Sequence, residues 1–89
     1  MHERTLHIQN RLGLHARASA KLAALASGFS CDITLVKDDI EVNAKSIMGI
    51  MMLAAGKGSS LTVRSHGEDA AEALDAIEAL VQGYFGETE

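Results

Sequence analysis

Proline is absent from this 89-residue chain, and aromatic residues make up only 3% of it. Without proline no turn is preset and no helix is stopped by a missing N–H, so glycine, asparagine and aspartate must punctuate the fold. With two Phe, one Tyr and no Trp, a core has to be assembled from Ala, Leu, Ile, Val and Met. The single cysteine, Cys31, excludes an internal disulfide and a cysteine-built metal cluster. Basic residues are outnumbered, 8 Lys and Arg against 12 Asp and Glu, for a formal charge of -4. That is the wrong sign for a nucleic-acid binder of this size, so nucleic acid is not an expected partner. There is no charged leader followed by an apolar run, and no stretch of roughly 18 apolar residues. No membrane insertion is expected, and the chain reads as cytoplasmic.

What is present is globular. Hydrophobic residues at 47% and charged residues at 22% exclude general disorder. The length suits one domain, 1–89, with one thin core; it does not suit a buried cofactor cavity with a lid, and no cofactor is expected. Thr5–Asn10 alternates polar and apolar, which predicts a half-buried strand with Leu6 and Ile8 inward. Ala16–Ser27 is rich in Ala and Leu and free of β-branched residues, which predicts a helix, with Gly28 as a left-handed stop and Phe29 folding back on it. Cys31–Leu35 and Ile40–Val42 flank the polar turn Lys37-Asp38-Asp39 and predict a hairpin. Ser46 is a natural N-cap for an apolar helix over Ile47–Ala55, ended by Gly56-Lys57-Gly58. Leu61–Arg64 alternates again. Glu68-Asp69 caps a last helix whose inward positions run from Ala70 through Ile77 and Val81 to Tyr84. The order β-α-β-β-α-β-α, with polar alternate faces on the strands, predicts an α+β fold: a mostly antiparallel sheet with helices on one face and solvent on the other.

Gly13-Leu14-His15-Ala16-Arg17 places a histidine at the mouth of the first helix. A helix N-terminus points unpaired N–H groups, such as that of Ala16, and a partial positive charge outward. That environment attracts a phosphoryl group and disfavours a protonated imidazole. Arg17 adds a guanidinium that can grip phosphoryl oxygens in bidentate fashion. Imidazole, amides and arginine make a minimal kit for taking up and passing on a phosphoryl group without a metal. The plainer alternative is an ordinary helix-start histidine beside a solvated arginine.

Residues 13–17 resemble the active-site signature of the HPr family, the phosphocarriers of the bacterial phosphoenolpyruvate-dependent phosphotransferase system of sugar transport. Asn43-Ala44-Lys45-Ser46-Ile47-Met48-Gly49-Ile50 resembles the family's second signature, around a regulatory serine. The resemblance implies a two-layer open-faced sandwich, a four-stranded antiparallel sheet covered on one face by three helices. It implies that His15 takes a phosphoryl group from enzyme I on Nδ1 and passes it to enzyme IIA proteins or domains, with Arg17 assisting. Ser46 would be the target of an HPr kinase/phosphorylase where one exists. Ala18 stands where the family usually has proline; alanine keeps the helix, and a looser entrance to the site is expected.

A phosphate on Ser46 would suit the positive end of a helix, so its effect is expected on partners rather than on folding. The stretch Ile47–Leu53 is too apolar for one buried stripe: Ile50, Leu53 and Ala54 can face the sheet, leaving Ile47, Met48 and Met51 for docking. A monomer fits such transient docking. His2, His7 and His66 have no second ligand at metal spacing and read as surface residues; no metal is expected. Cys31 reads as a small core residue, and Gly56–Ser60 has the wrong strand–helix order for a nucleotide loop. Two other classes compete with the carrier. One is a small phosphatase using histidine covalently, weakened by the lack of an evident acid near His15. The other is a regulatory module that binds through Ile47–Met51 and never carries phosphate. Among carriers, sugar uptake and a nitrogen-linked regulatory relay are alternatives.

Overall fold

The computed structural model describes residues 1–89. Four strands, β1 (His2–His7), β2 (Asp32–Lys37), β3 (Ile40–Asn43) and β4 (Ser60–His66), alternate with helices α1 (Ala16–Ser27), α2 (Ile47–Met52) and α3 (Ala70–Gln82). A single 3-10 turn, Tyr84–Gly86, follows α3. The strands form one sheet in the order β1-β4-β2-β3, and every neighbouring pair is antiparallel. β1 and β2 therefore run parallel to each other on either side of β4. A parallel pair cannot be joined by a tight turn, and α1 supplies the crossover. The architecture is the expected one, an α+β open-faced sandwich.

The alternation read from the sequence explains which face the helices cover. Leu6, Ile33, Leu35, Leu61 and Val63 are buried, whereas Thr5, Asp32, Thr34, Thr62 and Arg64 are exposed or half-exposed on the other face. The helices meet the buried face with Ala18, Leu22, Ala26, Ile50, Ala73, Leu74, Ile77 and Val81. Alanines at the contact let the helices approach the sheet closely, which replaces aromatic bulk with proximity. Cys31 is buried as expected, and burial pushes its thiol pKa up, with Asp69 adding to the effect.

Several boundaries differ from expectation. β1 lies earlier, at His2–His7 rather than Thr5–Asn10, because its ladder with β4 is made by backbone, starting at His2↔Ser65, and ignores the charge of Glu3 and Arg4. Ile8 still exchanges bonds with the loop before β4, donating to Ser59 and accepting from Gly58, and stays buried. Gly28 is right-handed (φ -76°), not a left-handed stop. The end of α1 tightens instead, with Gly28 and Phe29 donating to Leu25 and Ala26. Phe29 does pack against the core. The β2–β3 turn is made by Asp38 (φ 49°) and Asp39 (φ 68°), the two left-handed residues of a twist-matched hairpin turn.

α2 is shorter than expected and ends at Met52. Ala54, expected to face the sheet, is exposed in a left-handed conformation (φ 49°), and this reversal turns Ala55 inward in its place. Asp69 is the N-cap of α3 but does not cap it with its side chain. Its carboxylate accepts instead from the Ser30 N–H at 2.8 Å and the Cys31 N–H at 2.9 Å, clamping the start of β2. Those bonds, Ser30's first, hold the Asp69 carboxyl below the usual range.

The inward aromatic at the end of the chain is Phe85, fully buried, and not Tyr84, which is 37% exposed. Tyr84 and Phe85 are both left-handed (φ 59° and 54°), a strain of about 1–2 kcal/mol each. Burying a Phe ring returns about 1.5–3 kcal/mol, and Lys21 Nζ donates to the Phe85 carbonyl at 2.6 Å. The consequence is a chain reversal that carries residues 87–89 back over the start of α1. Replacing Phe85 by Ala is expected to cost about 3–5 kcal/mol in urea unfolding. A loss under about 1 kcal/mol would show that the ring is not part of the core.

Candidate functional site

The loop Asn10–His15 is built to hold one side chain. Asn10 is fully buried and its Nδ2 donates to the Gly13 carbonyl at 2.8 Å, while the Gly13 N–H returns a bond to the Asn10 carbonyl. Gly13 is left-handed (φ 64°), and a Cβ there would stand 2.4 Å from the Ala55 carbonyl oxygen. Only glycine permits that approach. Next to it Leu14 is buried and donates its N–H to the same Ala55 carbonyl at 2.8 Å, and Ser19 Oγ donates to the Leu14 carbonyl at 3.0 Å. The reversal at Ala54 that shortens α2 is thus what presents the acceptor against which the histidine loop is pinned.

His15 is the N-cap of α1, extended at φ -72° and ψ 178°, and its own ring does the capping: Nδ1 accepts from the Arg17 N–H at 3.3 Å. The opposite nitrogen, Nε2, lies 2.5 Å from a carboxylate oxygen of Glu87. A carboxylate can only accept, so Nε2 carries the proton and Nδ1 the lone pair. The ring is half-buried and its free electron pair points at the positive end of a helix. Ala16 and Arg17 are both exposed at that end. Ala18 is fully buried in the first turn of α1, which begins at Ala16, so alanine keeps the helix as expected.

Glu87 is the residue that sequence reasoning missed. Its other oxygen accepts from Asn10 Nδ2 at 3.1 Å. The Asn10 amide first, and the His15 ring second, hold its carboxyl below the usual range. An acidic group therefore does stand beside His15, against expectation. It is already engaged on both oxygens and is kept ionised, which makes it an orienting carboxylate and a poor proton donor. Nothing in the sequence 72 positions away signals the contact; it exists because the Tyr84–Phe85 reversal brings the segment back. Arg11, His15, Arg17, Glu87 and Glu89 line one open cleft of about 380 Å³.

A family profile described as "PTS HPr component phosphorylation site" matches residues 2–83. The chain belongs to the HPr family. It is 52% identical over 89 residues to the phosphocarrier protein HPr of Cupriavidus necator, covering all of both chains. It is 49% identical over 85 residues to the phosphocarrier protein NPr of Shewanella violacea, covering 96% of this chain and 93% of that one. The crystal structure of HPr-C-His from Thermoanaerobacter tengcongensis superposes with a TM-score of 0.96 at 44% identity, with 100% of each chain covered. HPr proteins are phosphocarriers of the phosphotransferase system, working between enzyme I and enzyme IIA components.

The second HPr signature folds as its residues suggest. Ser46 caps α2, with its Oγ accepting from the Gly49 N–H at 3.0 Å. Ile50 and Leu53 are buried, while Ile47, Met48 and Met51 are exposed, as is Met52. Leu12, on the wall of the His15 cleft, is exposed as well, an apolar group that periodicity alone did not single out. His2, His7 and His66 are exposed.

Replacing Glu87 by Gln is expected to unlock the ring: nitrogen NMR should show His15 protonated on Nε2 in the wild type and mixed between nitrogens in the variant. Because the Glu87 carboxyl is held low, its anchoring is present above the ordinary carboxylate range and lost only as pH falls through its depressed value. That acid transition should vanish in the Gln variant. An unchanged tautomer would show that the carboxylate does not set it.

Proposed function

We propose that His15 is the phosphoryl acceptor of this phosphocarrier and that Nδ1 is the reacting nitrogen. What supports the reading above all is the tautomer: Glu87 occupies Nε2, and the lone pair on Nδ1 faces the first amides of α1. In the transfer, the bond between phosphorus and the donor on enzyme I breaks as the Nδ1–phosphorus bond forms. The Arg17 N–H turns from Nδ1 to a phosphoryl oxygen, the Ala16 amide adds a second donor, and the Arg17 guanidinium supplies a fixed positive charge. The ring becomes cationic while Nε2 keeps its proton, and the Glu87 carboxylate balances that charge. A protonated imidazole is also the better leaving group, so the same contact favours onward transfer to an enzyme IIA acceptor.

Ser46 is the regulatory position in this reading, open to an HPr kinase/phosphorylase where the source has one. A phosphate there suits the helix end and acts by repelling acidic partner surfaces. The docking surface comprises Ile47, Met48 and Met51, extended by Leu12 and Met52; methionines adapt to more than one partner. The protein works as a cytoplasmic monomer that leaves this face free. Identity is similar to carriers named HPr and NPr. A nitrogen-linked regulatory relay is therefore the second reading beside sugar uptake, and competition between enzyme IIA acceptors of the two systems separates them.

Incubation with phosphoenolpyruvate and purified enzyme I should add one acid-labile, base-stable phosphoryl group, lost in His15→Ala and kept in Ser46→Ala. A His15→Ala variant that is still labelled would overturn the assignment. Ser46→Asp is expected to accept phosphoryl from enzyme I at least about tenfold more slowly, with unchanged unfolding, as repulsion of about 1.4 kcal/mol would require. Charged substitutions at Ile47 and Met48 together should weaken transfer both from enzyme I and to enzyme IIA; normal rates in both directions would exclude this docking face.

A further inference from the structure

Two arginines share the His15 cleft, and they are in different states. None of the ion pairs of the protein involves Arg17. Arg11 is held by Glu89: Arg11 Nε lies 2.5 Å from Glu89 Oε2, and the Arg11 N–H donates to the Glu89 carbonyl at 3.0 Å. Both side chains of the pair are about two-thirds exposed, at 65% and 67%. An ion pair in that setting is weak and easily exchanged for a better anion. A phosphoryl group is a better anion, with roughly two negative charges and three acceptor oxygens.

The charge balance of the cleft favours the exchange. At rest Arg11 is neutralised by Glu89, and Glu87 faces the His15 ring. A phosphoryl group arriving on Nδ1 finds Arg17 as the one arginine of the cleft outside an ion pair. Releasing Glu89 from Arg11 frees a second guanidinium for the phosphoryl group. The backbone bond between Arg11 and Glu89 keeps the segment in place while the side chains part, so release needs only a rotamer change.

We propose that Arg11 is a second phosphoryl-binding guanidinium and that Glu89 is its resting counter-ion, displaced when the phosphoryl group arrives. The inference rests on His15 being the acceptor and adds a competition within the protein. Glu89 lowers the affinity of the site for phosphoryl, which also eases its release to the next acceptor. Arg11 acts on the transferred group, and Glu89 acts through Arg11.

The test uses the full chain with enzyme I and a fixed ratio of phosphoenolpyruvate to pyruvate, measuring the equilibrium fraction of phospho-His15 and its phosphorus NMR shift. Arg11→Gln should lower the transfer equilibrium constant about threefold and Glu89→Gln raise it about threefold, the scale of an exposed ion pair. The double variant should match Arg11→Gln, because Glu89 has no effect without Arg11. The phosphorus shift should move in Arg11→Gln and not in Glu89→Gln. Arg11→Lys should restore only part of the equilibrium, having charge but no fork. An equilibrium unchanged in Arg11→Gln, with His15 labelled normally in the wild type, would overturn this inference alone. So would a Glu89→Gln gain that persists without Arg11. A wild type that takes no phosphoryl on His15 would overturn the acceptor assignment and this inference with it.

Discussion

The contact between His15 Nε2 and Glu87, at 2.5 Å, is the interaction on which the proposed chemistry of this protein depends. An imidazole has two nitrogens of nearly equal basicity, and either can carry the proton. Holding one of them against a carboxylate decides which one is left with a lone pair. The helix then decides what the lone pair faces. One side of the ring sees a fixed anion and the other the positive end of α1. In the proposed transfer the ring becomes a cation without leaving its place, because its counter-charge is already there.

Much of the remaining structure serves to hold that ring still. β4 lies between β1 and β2, so α1 must cross over the sheet, and its first turn falls where the loop from β1 meets the end of α2. The Ala55 carbonyl receives Leu14 and excludes any side chain at residue 13. The same short α2 presents Ser46 at its start and an apolar, methionine-rich surface along its exposed side. Ser46 at the start of α2 and His15 at the start of α1 thus lie on elements joined through the Leu14–Ala55 bond, which is how the proposed modification of one would bear on partners of the other.

The electrostatics of the cleft are nearly balanced at rest, with two arginines and two glutamates in its lining. Balance of this kind suits a carrier. A site that bound phosphoryl too firmly would be a sink, and one that bound it too weakly would not load. Exposure keeps the Arg11–Glu89 pair weak, so a phosphoryl group can be traded between partners with small changes in free energy.

The sequence by itself determined which residues form the sheet face, which small residues let helices pack on it, where α1 and α2 begin, and which imidazole and guanidinium stand at a helix mouth. Those are local properties: alternation, propensity and capping act over a few residues. It also exposed the surplus of apolar groups on α2. Tertiary structure alone decided the rest. The start of β1 was hidden because a ladder is made by backbone and tolerates Glu3 and Arg4. Ala54 reads as inward because periodicity carries on past the point where a left-handed residue ends the helix. Asp69 clamps β2 rather than its own helix because its best donors come from another part of the chain. Glu87 could not be read at all. Its place beside His15 follows from two strained residues and one buried ring that fold the chain back on itself, and a contact across that distance leaves no periodic trace in the residues that make it.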